Sequence, residues 1–257
     1  MRILMIGDVM GSPGRQAVKK YLPELRREHD IDLVVANGEN SAAGFGITPK
    51  VAKELLDAGV DVISSGNHIW DNKEMMPHMD EETPVLRPLN YPKAAPGRGA
   101  VMANGALVIS LQGRTFMPVQ IDDPFTAMDQ LLDTLSERPR AIVVDFHAEA
   151  TSEKGALAWH VDGRVSAVVG THTHVATADA RVLPKGTAFV TDLGMCGAID
   201  SIIGSDPGPV LERFLTGIPV RLNVGSGPSR FNSVLIETDD TTGLALSIRR
   251  MDCADSE

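Results

Sequence analysis

The chain contains few cysteines and no long apolar run. Cys196 and Cys253 are the only cysteines among 257 residues, which excludes a disulfide framework and a Cys-x-x-Cys metal pair. The apolar run after Met1 is too short for a signal peptide, and no later segment approaches the roughly 18 apolar residues of a membrane span. We therefore expect a cytoplasmic protein that does not enter a membrane.

Positive charge is also scarce. The 24 Lys and Arg residues are outnumbered by 34 Asp and Glu residues, which gives a formal net charge of -10 at pH 7. An acidic surface opposes the non-specific attraction to phosphate on which general nucleic-acid binders depend. We expect no non-specific nucleic-acid binding, and we expect any phosphate ligand to be held locally by a few residues.

What the sequence does contain is typical of an α/β domain with a full core. Hydrophobic residues make up 43% and charged residues 23%, as in ordinary globular chains. Short β-branched runs alternate with amphipathic segments, a pattern typical of strands connected through helices. No segment resembles a linker and no internal repeat is present, so we predict one domain over residues 1–257.

Local signals place the elements along the chain. Buried strands are predicted at residues 3–6, 33–36, 60–64, 141–145, 165–169 and 187–191. Helices are predicted at residues 15–29 with a kink or break at Pro23, from Thr48 to about Gly59, and at residues 123–138. Hairpins are predicted at Asn104-Gly105 and between residues 233–237 and 244–249.

Side chains able to bind a metal ion follow nearly every buried strand. They are Asp8, Glu39 with Asn40, Asn67 with His68, His147, and His172 with His174. Because ligands of open α/β sheets bind beyond the carboxyl ends of the strands, we expect these residues to converge although they are far apart in sequence.

The donors form a chemically coherent set. Taken alone, Asp8 is explained as a turn residue and His147 as a hydrogen-bonded core histidine, but their joint occurrence at five strand ends favours a metal centre. The set is too large for one tetrahedral zinc ion. Two divalent cations that share a bridging carboxylate and a bridging hydroxide would use it fully. Such a pair, about 3.5 to 4 Å apart, can clamp both the entering and the leaving oxygen of a phosphoryl displacement.

Five sequence blocks resemble a known family. They are Gly-Asp-Val-Met-Gly at 7–11, Asn-Gly-Glu-Asn at 37–40, Gly-Asn-His-Ile-Trp-Asp at 66–71, Asp-Phe-His-Ala-Glu-Ala-Thr-Ser-Glu-Lys at 145–154, and Gly-Thr-His-Thr-His at 170–174. In this order they resemble the calcineurin-like metallophosphoesterases, and within that superfamily the YmdB-type branch. The resemblance implies a mixed β-sheet sandwich flanked by helices, with the site at the carboxyl ends of the strands.

The resemblance also implies a ligand set. The first metal would be held by Asp8, Glu39, Asn40 and His174, and the second by Glu39, Asn67, His147 and His172. The branch is associated with iron, and oxygen and nitrogen ligands would also accept manganese. The usual Asp-x-His of the superfamily is here Asp8-Val9-Met10, and a thioether is a poor ligand for a hard cation. Asn40 is the natural oxygen replacement for the missing imidazole.

Roles follow from the same resemblance. A bridging hydroxide would attack phosphorus, and His68 would protonate the leaving alkoxide as the catalytic acid. The alternative for His68 is a residue that orients Asn67. Asp71 and Asp145 would accept hydrogen bonds from the ligand side chains and orient them, although both are equally well explained as turn or strand-end residues.

The predicted function is that of a dinuclear metal-dependent phosphodiesterase acting on small phosphodiesters, in particular 2',3'-cyclic nucleotides such as 2',3'-cAMP. The alternatives are a phosphomonoesterase or protein phosphatase, and a regulatory nucleotide- or metal-binding protein with weak turnover. A homo-oligomer is compatible with the sequence. A nucleophilic role for Cys196 is disfavoured, and Arg87, Arg98 and Lys154 are interpreted as surface charges rather than phosphate ligands.

Overall fold

The alternating helices and strands expected from the sequence are present in the computed structural model, which describes residues 1–81 and 83–255. The helices are α1 (Gly11–Glu28), α2 (Pro49–Asp57), α3 (Pro124–Asp133), α4 (Thr151–His160) and α5 (Pro207–Thr216), with a 3-10 helix at Lys73–His78. Within the described ranges, no helix has both the length and the apolar character needed to cross a membrane.

The strands form two large sheets and one small sheet. They are β1 (Arg2–Ile6), β2 (Asp8–Val9), β3 (Leu33–Asn37), β4 (Val62–Ser64), β5 (Ala100–Ala103), β6 (Ala106–Gln112), β7 (Ala141–His147), β8 (Ala167–Thr171), β9 (Arg181–Val182), β10 (Ala188–Val190), β11 (Met195–Ala198), β12 (Ser229–Phe231), β13 (Ser233–Thr238), β14 (Ala245–Arg250) and β15 (Cys253–Ala254). The sheet orders are β14-β13-β1-β3-β4, β5-β6-β7-β8-β10-β9 and β15-β12-β11-β2.

Parallel pairing sets where the strand ends meet. In the first sheet β1 pairs parallel with β3 and β3 with β4, and in the second sheet β6, β7, β8 and β10 are parallel neighbours. The carboxyl ends of β1, β3 and β4 therefore share one edge of the first sheet, and those of β7 and β8 share one edge of the second.

Alternation of side chains along the strands builds a layered core. Ile3 and Met5 of β1 point inward and join Val143 of β7 in a cluster that both large sheets contribute to. Leu4 points outward into a second cluster with the apolar faces of α1 and α2, and Val144 points into a third with α3 and α4. The predicted sandwich of mixed sheets flanked by helices is thus confirmed. The single domain over residues 1–257 stays a prediction, and residues 82, 256 and 257 lie outside the described ranges.

Several local expectations are confirmed. Thr48 caps α2 by accepting a hydrogen bond from the backbone N–H of Val51 at 3.2 Å, and Pro49 opens the helix. Asn104 and Gly105 connect β5 to β6 with φ of 49° and 85°, the left-handed pair that a tight hairpin requires. The terminal hairpin is formed by β13 and β14.

Two helix boundaries differ from the expectation. The expected break at Pro23 is wrong, because α1 starts at Gly11 and continues past Pro23 to Glu28. Pro23 is on the exposed side of the helix, where water can satisfy the carbonyl oxygen that loses its helical partner. The helix predicted at residues 123–138 ends at Asp133.

The interpretation of Lys154 and Arg87 as surface charges is wrong. Lys154 is completely buried on α4, and its Nζ lies 2.7 Å from Oδ2 of Asp192. The same carboxylate accepts the backbone N–H groups of Thr173 and Gly194. Arg87 is buried and donates to the carbonyl oxygens of Pro88 and Pro96. The pair between Lys154 and Asp192 therefore connects α4 to the loop that follows β10, and Asp192 in turn holds Thr173 in the loop that follows β8.

Breaking this buried pair should destabilise the fold. We expect Lys154→Met to lower the free energy of unfolding by about 3–5 kcal/mol, because Asp192 becomes an uncompensated buried charge. The matched control is Lys53→Met, which breaks an exposed pair with Asp57 and should cost less than about 1 kcal/mol. Urea unfolding followed by circular dichroism measures both. Equal effects of the two substitutions would show that the buried pair does not hold the fold.

Candidate metal centre

The predicted site residues lie at the carboxyl ends of five strands. Asp8 follows β1, Glu39 and Asn40 follow β3, Asn67 and His68 follow β4, His147 ends β7, and His172 and His174 follow β8. The structure brings these residues together around one cavity of about 340 Å³, whose lining includes Glu39, His68, His172 and His174.

Four donor atoms surround one point beneath the cavity. Nε2 of His147 lies 3.1 Å from Oδ1 of Asn67, 3.0 Å from Oε1 of Glu39 and 3.0 Å from Nδ1 of His172. Donors that bind a cation at about 2.1 Å stand roughly 3 to 3.5 Å from one another. The spacing therefore fits the four ligands implied for the second metal. One ligand atom from each of Glu39, His147 and His172 lies within 4.8 Å of the other two.

A buried relay fixes the orientation of His147. The hydroxyl of Thr171 donates to Oδ1 of Asp145 at 2.7 Å, so its oxygen is free to accept the Nδ1–H of His147 at 2.9 Å. Asp145 also accepts hydrogen bonds from Asn37 and Ser64, which end β3 and β4. Because Nδ1 carries the proton, Nε2 of His147 points its lone pair at the donor cluster.

Asp8 presents an unpaired carboxylate oxygen. Its Oδ2 accepts the backbone N–H of His172 at 3.1 Å, but Oδ1 is fully buried without a hydrogen-bond partner in the described part of the chain. That oxygen lies 3.8 Å from Nδ1 of His147 and 4.0 Å from Nε2 of His174. A buried anionic oxygen without a partner is costly, and a cation between these atoms would remove the cost.

The ring of His174 is oriented toward Asp8 and Asn40. Its Nδ1–H donates to the carbonyl oxygen of Ile203 at 2.8 Å, which leaves the Nε2 lone pair facing the side-chain amide of Asn40 at 3.0 Å. That amide presents Nδ2, and a half-turn about its last bond would present Oδ1 to a cation instead. Asp8, Glu39, Asn40 and His174 therefore surround a second point, which fits the ligands implied for the first metal.

Gly66 and the loop of His172 and His174 have backbone features that ordinary residues do not easily adopt. A Cβ at Gly66 would lie 2.0 Å from Cδ2 of His147, so only glycine fits before Asn67. His172 and His174 have φ of 99° and 65°, a region that side chains other than glycine rarely adopt. The bond from Thr173 N–H to Asp192 holds the loop in this strained form.

Burial and charge act against each other in the cluster. Burial would raise the pKa of Glu39, but the charge and hydrogen bond of His147 lower it to about 2. Burial would lower the pKa of His147, but Glu39 and Asp8 raise it to about 9. Burial raises the pKa of Asp8 to about 6, and burial together with the charge of His147 lowers the pKa of His172 to about 3. His147 thus stabilises the anionic form of Glu39, whereas burial disfavours the anionic form of Asp8.

His68 lies at the mouth of the cavity, where it is partly exposed. Its backbone N–H donates to Oε2 of Glu39 at 3.1 Å, and its Nδ1 lies 2.7 Å from Oδ2 of Asp71. The ring nitrogen left for a substrate is therefore Nε2. Of the two candidate supporting residues, Asp71 contacts His68 and Asp145 contacts Thr171.

Sequence reasoning missed several residues of the site. Oε2 of Glu149 lies 3.0 Å from Nε2 of His172, on the side of the ring away from the donor cluster. Its position two residues after His147 was a usable signal, whereas the carbonyl of Ile203 was not visible in any motif.

Met10 is buried and packs tightly against Gly204. A Cβ added to Gly204 would lie 2.3 Å from Cγ of Met10, so Met10 forms an apolar floor beneath the site. Cys196 is buried, and burial raises the pKa of its thiol, which disfavours a thiolate nucleophile.

Comparisons with known proteins agree with this geometry. The family model described as YmdB-like protein matches residues 4–251. The chain is 50% identical over 255 residues to a protein of Bacillus subtilis (strain 168) named 2',3'-cyclic-nucleotide 2'-phosphodiesterase, and the match covers 98% of this chain and 96% of that protein.

Solved structures match over the whole length. A hypothetical protein from Thermus thermophilus superposes with a TM-score of 0.92 at 46% identity and covers 100% of both chains. A protein from Mycoplasma pneumoniae described as a novel phosphatase gives a TM-score of 0.92 at 33% identity and covers 99% of this chain and 93% of that chain. Since the family model spans nearly the whole sequence, the chain belongs to the YmdB-like protein family.

Proposed function

We propose that the protein is a metal-dependent phosphodiesterase that hydrolyses small phosphodiesters, with 2',3'-cyclic nucleotides such as 2',3'-cAMP as substrates. The observation that carries the proposal is the convergence of two buried carboxylates and three imidazoles beneath one cavity, with Oδ1 of Asp8 lacking a hydrogen-bond partner among residues 1–81 and 83–255. The name of the Bacillus subtilis relative supports the choice of diester.

Two divalent cations, iron or manganese, would complete the site. Asp8, Glu39, Asn40 and His174 would hold one cation, and Glu39, Asn67, His147 and His172 would hold the other. When bound, such a pair supplies a water-derived nucleophile at neutral pH and positive charge opposite the non-bridging phosphoryl oxygens. Thr171 and Asp145 would keep Nε2 of His147 unprotonated toward its cation, and Glu149 would do the same for Nδ1 of His172.

His68 would supply the proton that the leaving group needs. Cleavage of the phosphorus–oxygen bond leaves the electron pair on the alkoxide oxygen, and the Nε2–H of His68 would donate to it. Asp71 fixes the ring through Nδ1, which leaves Nε2 for the substrate. A cavity of about 340 Å³ is at the small end of the range for small-molecule sites, which favours a nucleotide over a protein surface as substrate.

The substrate class is tested directly with purified protein. Its metal content would be determined without added metal, and its turnover compared on cyclic nucleotides, linear diesters and phosphomonoesters. We expect the cyclic diesters to be cleaved fastest. Faster cleavage of monoesters would instead favour the phosphomonoesterase alternative, and metal-dependent nucleotide binding without turnover would favour the regulatory protein.

Replacing the shared carboxylate should remove metal. In Glu39→Gln the negative charge between the two cation positions is lost and Asp8 remains as the only carboxylate, so metal content should fall by more than half. Inductively coupled plasma mass spectrometry of protein purified without added metal measures it. Glu137→Gln, at an exposed position, serves as control. Two retained equivalents in Glu39→Gln would contradict the shared-ligand assignment.

Removing the imidazole at the cavity mouth should separate acid catalysis from metal binding. We expect His68→Ala to keep its metal and to lose about 10² to 10⁴ in turnover of a diester with a poor alkoxide leaving group. A p-nitrophenyl diester should be affected much less, because its leaving group departs as a stable anion.

The control for this prediction is His78→Ala. His78 has the same spacing to an acidic partner, with Nδ1 3.0 Å from Oε1 of Glu81, but it lies in the 3-10 helix and does not line the cavity. Equal losses of His68→Ala on both diesters, or loss of metal, would assign His68 an orienting role instead.

A further inference from the structure

Part of the cavity lining is apolar, although the lining also includes candidate metal ligands. Phe45, Ile203 and Leu222 line it beside the buried Met10. Phe45 is 47% exposed and Ile203 is 53% exposed. Exposed apolar side chains are normal when scattered singly, but several at the rim of a polar site mark a surface that a ligand covers.

The loop of Phe45 presents its ring to the cavity. Gly44 and Gly46 flank it with φ of 95° and 72°, so the chain reverses sharply on both sides of the aromatic residue. The ring meets that of His68 edge to face, with centroids 5.3 Å apart and an interplanar angle of 71°. This contact leaves about half of Phe45 free for a flat partner.

Ile203 is an unusual residue type for the tight turn that backbone hydrogen bonds close between Ile202 and Ser205. Its φ of 45° is in the left-handed region, where a β-branched side chain is a genuine outlier. The carbonyl oxygen that orients His174 is a backbone atom, and glycine or asparagine would provide it at lower cost. The exposed isoleucine side chain at the cavity therefore has a use of its own, and strain of this kind is typical of binding sites.

We propose that Phe45 and Ile203 form a nucleobase-binding clamp beside the ligand cluster, with Phe45 stacking on the base. This proposal rests on the proposed function, because the clamp would bind the base of a cyclic nucleotide whose phosphate is held by the cations. His68 would protonate an oxygen of the ribose, and Phe45 touches His68, so a base on the same ribose falls next to the ring. Stacking tolerates any base, which predicts weak discrimination among bases.

The test compares two substrates that share the five-membered cyclic diester. One is 2',3'-cAMP and the other is glycerol 1,2-cyclic phosphate, which has no base. We expect Phe45→Ala to raise KM for 2',3'-cAMP about 5- to 150-fold, the range of one lost base–aromatic stack. The ratio of kcat/KM between the two substrates should fall by the same factor.

Companion variants separate stacking from support of His68. Phe45→Tyr keeps an aromatic face and should restore the ratio. Ile203→Ala should lower it in the same direction while metal content is unchanged. Phe116→Ala removes a Phe that is 85% exposed and does not line the cavity, and it should leave the ratio unaltered.

The failures of the two proposals are distinguishable. Equal losses of Phe45→Ala on both substrates, or no loss on either, would overturn the clamp and leave the phosphodiesterase standing. If the metal-loaded wild-type protein cleaves neither cyclic diester, the proposed function itself is wrong.

Discussion

The structure depends on two carboxylates, Asp8 and Glu39, that are buried where strands of both large sheets end. Burying an ionised carboxylate is costly unless charge and hydrogen bonds compensate it. Glu39 pairs with the ring of His147 and accepts a hydrogen bond from the backbone N–H of His68. Asp8 has one carboxylate oxygen without a hydrogen-bond partner in the described ranges. A cation near Asp8 would compensate that oxygen, which is why this corner of the fold is the candidate metal centre.

The convergence of the candidate ligands could be predicted from the sequence because its signals are local. A buried run followed by Asp, Asn or His marks a strand end, and parallel pairing brings such ends together without further information. The sandwich could be predicted in the same way. Side chains alternate between the two faces of β1, so Ile3 and Met5 pack between the sheets and Leu4 packs against the helices. The cap at Thr48 and the turn at Asn104-Gly105 likewise depend on the chemistry of a few adjacent residues.

What escaped prediction depends on contacts between distant segments. Lys154 is hydrophilic in any sequence scale, and only the position of Asp192, 38 residues further along, makes its burial favourable. Pro23 did not end α1 because it fell on the exposed side, which follows from packing rather than from local propensity. The support of His174 comes from a carbonyl oxygen, and backbone groups are the same in every residue, so no pattern of side chains reveals it.

The pairing of β1 has a consequence for biosynthesis. β1 ends two residues before Asp8, and it lies between β3 and β13, so its hydrogen bonds on one side come from residues 233–238. Asp8 itself is in β2, which pairs with β11 at residues 195–198. A ribosome releases Asp8, the first candidate ligand, nearly 190 residues before β11, the strand that pairs with β2. Such long-range contacts are formed late and slowly, so the centre is assembled only after nearly the whole chain has left the ribosome.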